Sequence, residues 1–203
     1  MIDTLIFDFG NVFIDLDIEN GFRESLRKLR ISALSEDIIH INKQYEIGAV
    51  TTDDFINFYA EKFPHLTKTE LVDLWNIILK AFPKYRLDFL NRLKSENKYK
   101  LILISNTNEL HIKWIQERVP FYENFKNCFD AFYLSHEINL RKPNTDIFEF
   151  VLNKNYTKAE TCLFIDDNAE NINTANTLGF KTWHIIPYKE DVVDLFSTQK
   201  QVF

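Results

Sequence analysis

The sequence predicts an α/β protein: a doubly wound parallel sheet with a small all-helical segment inserted after its first strand. Three observations carry this expectation. The chain opens on a short apolar run, Ile2 to Phe7, which stops at Asp8. Such a run is the pattern of a strand buried on both faces of a parallel sheet. Residues 17–83 then keep a helical rather than a strand period. Beyond Pro83, apolar strands and helical stretches alternate, and repeats of that kind imply a parallel sheet covered on both faces.

In the inserted stretch, Ile18, Phe22, Leu26 and Leu29 repeat as one face of a helix. Ser35, followed by Glu36 and Asp37, marks a second helix start with acids in the first turn. Thr51 or Thr52 opens a third, whose apolar face is Phe55, Phe58, Tyr59 and Phe63. Thr67 to Glu70 has the form of a capping box and leads into Leu71, Leu74, Trp75, Ile78 and Leu79. Pro64 and Pro83 punctuate the segment. The division expected is a core of residues 1–16 and 84–203 and a helical segment of residues 17–83.

The second half reads as helix, Arg86 to Asn97; strand, Tyr99 to Ile104; and helix, Glu109 to Arg118. A weaker strand, Ala131 to Leu134, leads to Arg141-Lys142-Pro143, with Pro143 placed in the first turn of a helix carrying Ile147, Phe148, Val151 and Leu152. Thr161 to Ile165 is a strand, followed by a helix that ends near Leu178 with Gly179 as its cap. Lys181 to Ile186 is the last strand, and a short amphipathic helix with Val192, Val193, Leu195 and Phe196 closes the chain.

Composition narrows the function. With 203 residues, 45% of them hydrophobic and 19 of them Phe, the chain has ample material for a core. A net charge of −6, with dispersed Lys and Arg, argues against a nucleic-acid partner or an anionic membrane surface. Cys128 and Cys162 lack metal or redox spacing, which points to a reducing compartment. Asp3 at the N-terminus leaves no room for a leader, and no apolar run approaches a membrane span. A cytoplasmic location is expected; oligomeric state is not legible.

The predicted strands end in polar residues: Asp8, Ser105 with Asn106, the approach to Lys142, and Asp166 with Asp167. In a parallel sheet these ends share one edge, where ligands bind. Two readings of Asp8 are open: a strand-ending turn residue before Gly10 and Asn11, or a buried carboxylate that needs a lysine or a metal beside it. Three carboxylates and a lysine converging in one crevice suit a divalent metal and a phosphate. Mg²⁺ takes carboxylate and carbonyl oxygens and keeps substrate phosphate as a partner. Lys142 would neutralise phosphate and hold Asp8 ionised. Ser105 and the amides opening the next helix would bind phosphate oxygens, and an ionised Asp8 could attack phosphorus.

Asp8-Phe-Gly-Asn-Val, the Ser105-Asn106 strand end, Arg141-Lys142-Pro143 and Asp166-Asp167-Asn168-Ala-Glu-Asn171 together resemble the four motifs of the haloacid dehalogenase-like hydrolases. The resemblance covers essentially the whole chain. It implies a Rossmann-like core, a small helical cap over residues 17–83, and phosphatase activity on a small phosphorylated metabolite with Mg²⁺ as cofactor. The closest branch is that of sugar-phosphate phosphatases, including those acting on glucose 1-phosphate. By position, the resemblance makes Asp8 the nucleophile and a metal ligand and gives the Gly10 carbonyl to the metal. Ser105 and Asn106 would bind the phosphoryl group, with Lys142 stabilising its charge. Asp167 would be a direct metal ligand and Asp166 a second ligand or one that reaches the metal through water, with Asn171 orienting them.

One position departs from the pattern. Most phosphatases of this family carry an acid–base Asp two residues after the nucleophile, where this chain has Gly10. Losing positioned proton transfer typically costs ~10²–10⁴-fold in rate. Three consequences are open: slow turnover, a leaving group that needs little protonation, or replacement by Asp15 or Asp17. A non-catalytic phosphometabolite-binding or scaffold protein is the alternative function, and a haloacid dehalogenase a lesser one.

Overall fold

A computed structural model describes residues 1–203. Five parallel strands form one sheet: β1 (Thr4–Phe7), β2 (Lys100–Ser105), β3 (Ala131–Leu134), β4 (Cys162–Asp166) and β5 (Lys181–His184). Their order is β3-β2-β1-β4-β5, so the first strand lies at the centre. Side chains alternate across a sheet. Leu5, Phe7, Leu101, Leu103, Leu163 and Ile165 enter a cluster of 29 buried residues on one face. Ile6, Ile102, Ile104, Cys162 and Phe164 enter a cluster of 12 on the other. Both faces are dry, which is why the central strands are apolar at nearly every position. Phe7 pairs with Leu103 on one side and Ile165 on the other, so the residues after them reach the same edge together.

The helical insertion contains α1 (Ile18–Leu29), α2 (Glu36–Glu46), α3 (Thr52–Lys62) and α4 (Lys68–Trp75), closed by a 3₁₀ turn at Asn76–Ile78. Asp17 caps α1 and Thr51 caps α3, each accepting a backbone N–H. Thr67 and Glu70 form the full capping box of α4. Each such cap contributes about 1 kcal/mol. The buried faces of these helices form a third cluster of ten residues, with Tyr45, Phe55 and Trp75 packed ring on ring. The two chain crossings into the insertion run side by side: Asp15 N–H donates to Ala81 (2.8 Å), Lys80 N–H to Asp15 (3.0 Å) and Asp17 N–H to Ile78 (2.9 Å).

The remaining helices are α5 (Lys84–Glu96), α6 (Glu109–Arg118), α7 (Tyr122–Lys126), α8 (Ser135–Ile138), α9 (Thr145–Asn155), α10 (Ala169–Thr177) and α11 (Leu195–Thr198). Leu110 of α6 belongs to the cluster of the insertion and joins it to the sheet layer. Gly179 follows α10 at φ 90°, a conformation that favours glycine.

Several expectations change. Pro143 lies before α9 rather than in its first turn; the helix begins at Thr145 after Asn144, because a turn from Arg141 to Asn144 comes first. The closing amphipathic helix splits into a 3₁₀ turn, Val192–Asp194, and α11. Helices α7 and α8 are too short to leave a periodic signature in the sequence. The first helix of the insertion forms as its period predicts, although Ile18 and Phe22 are 55% and 48% exposed. No helix is long and apolar enough to cross a membrane.

Candidate active site

The site is built on the ends of the central strands. Asp8 follows β1, with its N–H bonded to the Ile165 carbonyl (2.9 Å). Asp166 ends β4 with no exposure at all. Lys142, 1% exposed, reaches between them: its Nζ donates to Asp8 Oδ1 (2.7 Å), Asp166 Oδ2 (2.7 Å) and the Ile104 carbonyl (2.9 Å). All three ammonium protons are therefore used. Asp166 also accepts from Asn171 Nδ2 at both oxygens (3.1 and 3.0 Å) and from the Asn168 N–H (2.7 Å). Asp167 is half-buried and accepts from Asn11 Nδ2 (2.7 Å).

Electrostatics follow from this burial. Desolvation pushes the Asp8 carboxyl up to about 7, against the downward pull of Lys142, and Asp166 and Asp167 push it further up. Burial also raises Asp167, opposed by the Asn11 hydrogen bond. Burial alone would lower Lys142, but Asp166 and Asp8 outweigh it and hold the ammonium charged. Asp8, Asp166 and Asp167 offer carboxylate oxygens all within 4.8 Å of one another. Three clustered carboxyl groups face a single ammonium, a donor set that suits a hard divalent cation. The Gly10 carbonyl accepts no hydrogen bond within the protein and is free to join them.

The structure brings together Asp8, Gly10, Ser105, Asn106, Lys142, Asp166 and Asp167, but with different freedoms. The Ser105 hydroxyl and the Asn106 backbone N–H have no partner within the protein, whereas the Asn106 side chain is already committed. Its Nδ2 donates to the Lys142 carbonyl (2.8 Å) and its Oδ1 accepts the Lys142 N–H (2.9 Å), so it holds Lys142 in place. Sequence reasoning misses Asn11. At φ 55° it links Asp167 to the Leu16 N–H (2.9 Å), tying the loop after β1 to the acidic pair; an Asn in a turn is its only sequence signal.

The position of the missing acid is filled. A Cβ at Gly10 would lie 2.6 Å from Leu16 Cδ1, so an apolar side chain stands where an Asp would project. Asp15 instead pairs with Arg86 (2.7 Å), and Asp17 is engaged in capping α1. Neither lines the cavity that opens from Gly10, Ser105 and Asn106 into the space between the sheet edge and helices α1, α3 and α4. That cavity has a volume of about 390 Å³.

Comparisons with known proteins agree with this architecture. The family model for haloacid dehalogenase-like hydrolases matches residues 2–179. A D-ribitol-5-phosphate phosphatase of Bacteroides thetaiotaomicron is 27% identical over 190 residues, 90% of this chain and 91% of that one. A HAD-family enzyme of the same organism, solved as a magnesium complex, superposes with a TM-score of 0.84 at 32% identity, covering 96% of this chain and 98% of that one. A HAD-like hydrolase from Porphyromonas gingivalis gives 0.82 at 25% identity, covering 100% and 98%. With its strand-end carboxylates, its buried lysine and nearly its whole length accounted for, the chain belongs to the haloacid dehalogenase-like hydrolases.

Proposed function

We propose that the protein is a Mg²⁺-dependent phosphomonoesterase that works through an aspartyl-phosphate on Asp8, with helices α1 to α4 acting as a cap that shields the reaction from water. The observation that carries this reading is Lys142 held between Asp8 and Asp166 with no exposure to spare. Burying that triad is costly unless it serves a charged ligand. Mg²⁺ would be held by Asp8, Asp167 and the Gly10 carbonyl, with Asp166 beside them. When bound, it would neutralise phosphate charge and hold Asp8 ionised despite its burial. Asp8 presents its free oxygen to phosphorus while Lys142 fixes the other. The Ser105 hydroxyl and the Asn106 N–H supply donors for the phosphoryl oxygens. Asn106 and Asn171 keep Lys142 and Asp166 in place. Water then hydrolyses the acyl-phosphate and regenerates the carboxylate.

A dehalogenase would have no use for the paired Asp166 and Asp167. A pure binding protein would not need a nucleophile poised on a lysine. A sugar phosphate such as glucose 1-phosphate is the substrate the motif resemblance implies, and the ribitol 5-phosphate phosphatase supports a polyol phosphate. The sugar half of that reading meets a difficulty in the walls of the cavity, which are mostly apolar.

The test is phosphate release from a panel of phosphomonoesters with Mg²⁺ and with EDTA, alongside Asp8→Asn. Metal-dependent release, lowered at least ~10⁴-fold in the variant, is expected for the loss of a nucleophile. Silence across the panel, with phosphate still bound in the presence of Mg²⁺, would identify a binding protein instead.

A further inference from the structure

The cavity that opens from Gly10, Ser105 and Asn106 differs sharply between floor and roof. Its floor is polar: Ser105 to Asn108, at the end of β2. Its walls and roof are apolar, with 16 of 25 lining residues hydrophobic and no Lys or Arg among them. Most polar groups there are already engaged within the protein, the Asn42 amide nitrogen excepted. Ser25 donates to the Gly21 carbonyl (2.8 Å), and Asn42 accepts from the Tyr59 hydroxyl (2.7 Å). Glu46 is paired with Arg141 (3.1 Å), and Asn108 and His111 are bonded to Trp75. A sugar or polyol would bring several hydroxyls into this space, and each buried without a partner costs about 1–3 kcal/mol. At the rim, Ile18 and Phe22 line the cavity yet are about half exposed, so packing within the chain does not account for them.

A second observation is independent of the walls. Leu16 occupies the space beside Asp8 in which an acid–base side chain would stand. The position two residues after Asp8 therefore offers the departing oxygen no proton donor. Esters of acidic alcohols tolerate that; esters of sugar hydroxyls depend on protonation.

We infer that the substrate is the phosphate monoester of an apolar, phenol-like alcohol, whose ring fills the cavity under Phe22 and Ile18 while its phosphate lies on the floor. This rests on the phosphomonoesterase reading and names its leaving group. Asp8 forms the new O–P bond as the ester P–O bond breaks, and the electron pair stays on the departing oxygen. That oxygen leaves as a phenolate and takes its proton from water. Water then adds to phosphorus, the P–O bond to Asp8 breaks, and inorganic phosphate and the carboxylate are released.

The experiment compares kcat/KM of the full chain with Mg²⁺ for 1-naphthyl phosphate, benzyl phosphate and ribitol 5-phosphate. Benzyl and ribitol esters leave as alkoxides of similar basicity, so their ratio isolates recognition of the apolar group. Benzyl phosphate is expected to exceed ribitol 5-phosphate at least ~10-fold, the scale of a few apolar contacts. Naphthyl phosphate should exceed benzyl by more. Phe22→Ser, at an exposed rim position, should lower the benzyl-to-ribitol ratio by ~5-fold or more. A ratio below one, or one that Phe22→Ser does not move, overturns the inference while leaving the phosphomonoesterase reading standing. If no ester turns over, that reading fails by itself, and calorimetric titration of the Mg²⁺-loaded protein decides the cavity. Benzylphosphonate should then bind at least ~10-fold more tightly than inorganic phosphate, and equal affinity overturns the inference.

Discussion

Two clusters in this molecule share one plan, a single cation bridging two carboxylates. In the first, Lys142 joins Asp8 and Asp166 at the strand ends. In the second, Arg86 of α5 joins Asp15 (2.7 Å) and Asp191 (3.0 Å) behind the loop that follows β1. The difference lies in burial and in what is left over. Lys142 is sealed, and a third carboxylate, Asp167, stands beside the pair. Around Arg86 the acids are 29% and 21% exposed at their side chains, and the guanidinium also donates to the Phe13 carbonyl (3.1 Å). Four of its five donors are answered and it lacks a third acid of its own. The second cluster pins a loop; the first carries unanswered negative charge and so demands a ligand.

Substitutions of the two cations should separate them. Lys142→Met leaves two carboxylates facing each other in the interior, a change expected to cost about 3–5 kcal/mol. Turnover should fall at least ~10²-fold with the loss of charge at the phosphoryl site. Arg86→Met strands two partly exposed acids that water can still reach, so about 1–2 kcal/mol is expected, the solvent-screened part of the same penalty. Its effect on turnover should stay within about tenfold, through the loop alone. Urea denaturation and phosphate release on both variants make the check. Equal losses in stability and in rate would abolish the distinction.

The clusters should also titrate with opposite signs. In the metal-free protein Asp8 is pushed up to about 7 by burial, from an ordinary 3.8. Between those values the unfolded chain has released the proton that the folded chain keeps, so this contribution to stability is lost as pH rises toward 7. For Asp191, burial acts upward, but hydrogen bonds from Arg86 and Tyr85 outweigh it and hold the carboxyl below its ordinary value of 3.8. Its contribution is present at neutral pH and lost as pH falls through and below 3.8. Melting temperatures in EDTA should therefore lose the decline between pH 4 and 7 in Asp8→Asn (about the window just given). Asp191→Asn should lose only the acid limb. At this chain length, about 2–4 °C corresponds to each kcal/mol. Saturating Mg²⁺ should flatten the Asp8 limb, because the ionised carboxylate is the form that holds a cation.

The first cluster was largely legible in the sequence and the second was not. Asp8 and Asp166 follow or end apolar runs, Lys142 sits in the Arg-Lys-Pro stretch that comes after a weaker strand, and the parallel sheet brings such ends to one edge whatever their separation in the chain. Asp15 reads only as a candidate proton donor, and nothing in the sequence ties it to Arg86, 71 positions on, or Arg86 to Asp191, 105 further. The helical period of α1 predicts the helix and leaves one property of it unread. Ile18 and Phe22 fit one helix face, but periodicity records which face is apolar and not what covers it. Likewise Asn106 reads as a ligand-binding residue, while its side chain is spent on the Lys142 backbone, a partner 36 positions away that spacing does not reveal.

The smallest expected effect tests where one cluster ends and the other begins. If Asp15 or Asp17 served as the proton donor missing at Gly10, the loop-pinning cluster would be part of the reaction and the two could not be told apart. Asparagine is the right replacement at both positions, because it removes the proton and keeps the acceptor. Asparagine caps a helix as well as aspartate does, so α1 keeps its start in Asp17→Asn. In Asp15→Asn the amide oxygen can still accept from Arg86, leaving the loop pinned. With fold and geometry retained, only proton transfer is removed. Neither acid lines the cavity, and Leu16 fills the space beside Asp8, so both variants should turn over within about twofold of the parent chain, the scale of a neutral surface change. A fall of ~10²-fold or more in either one, the usual worth of a positioned acid, would place that carboxylate in the reaction and merge the clusters.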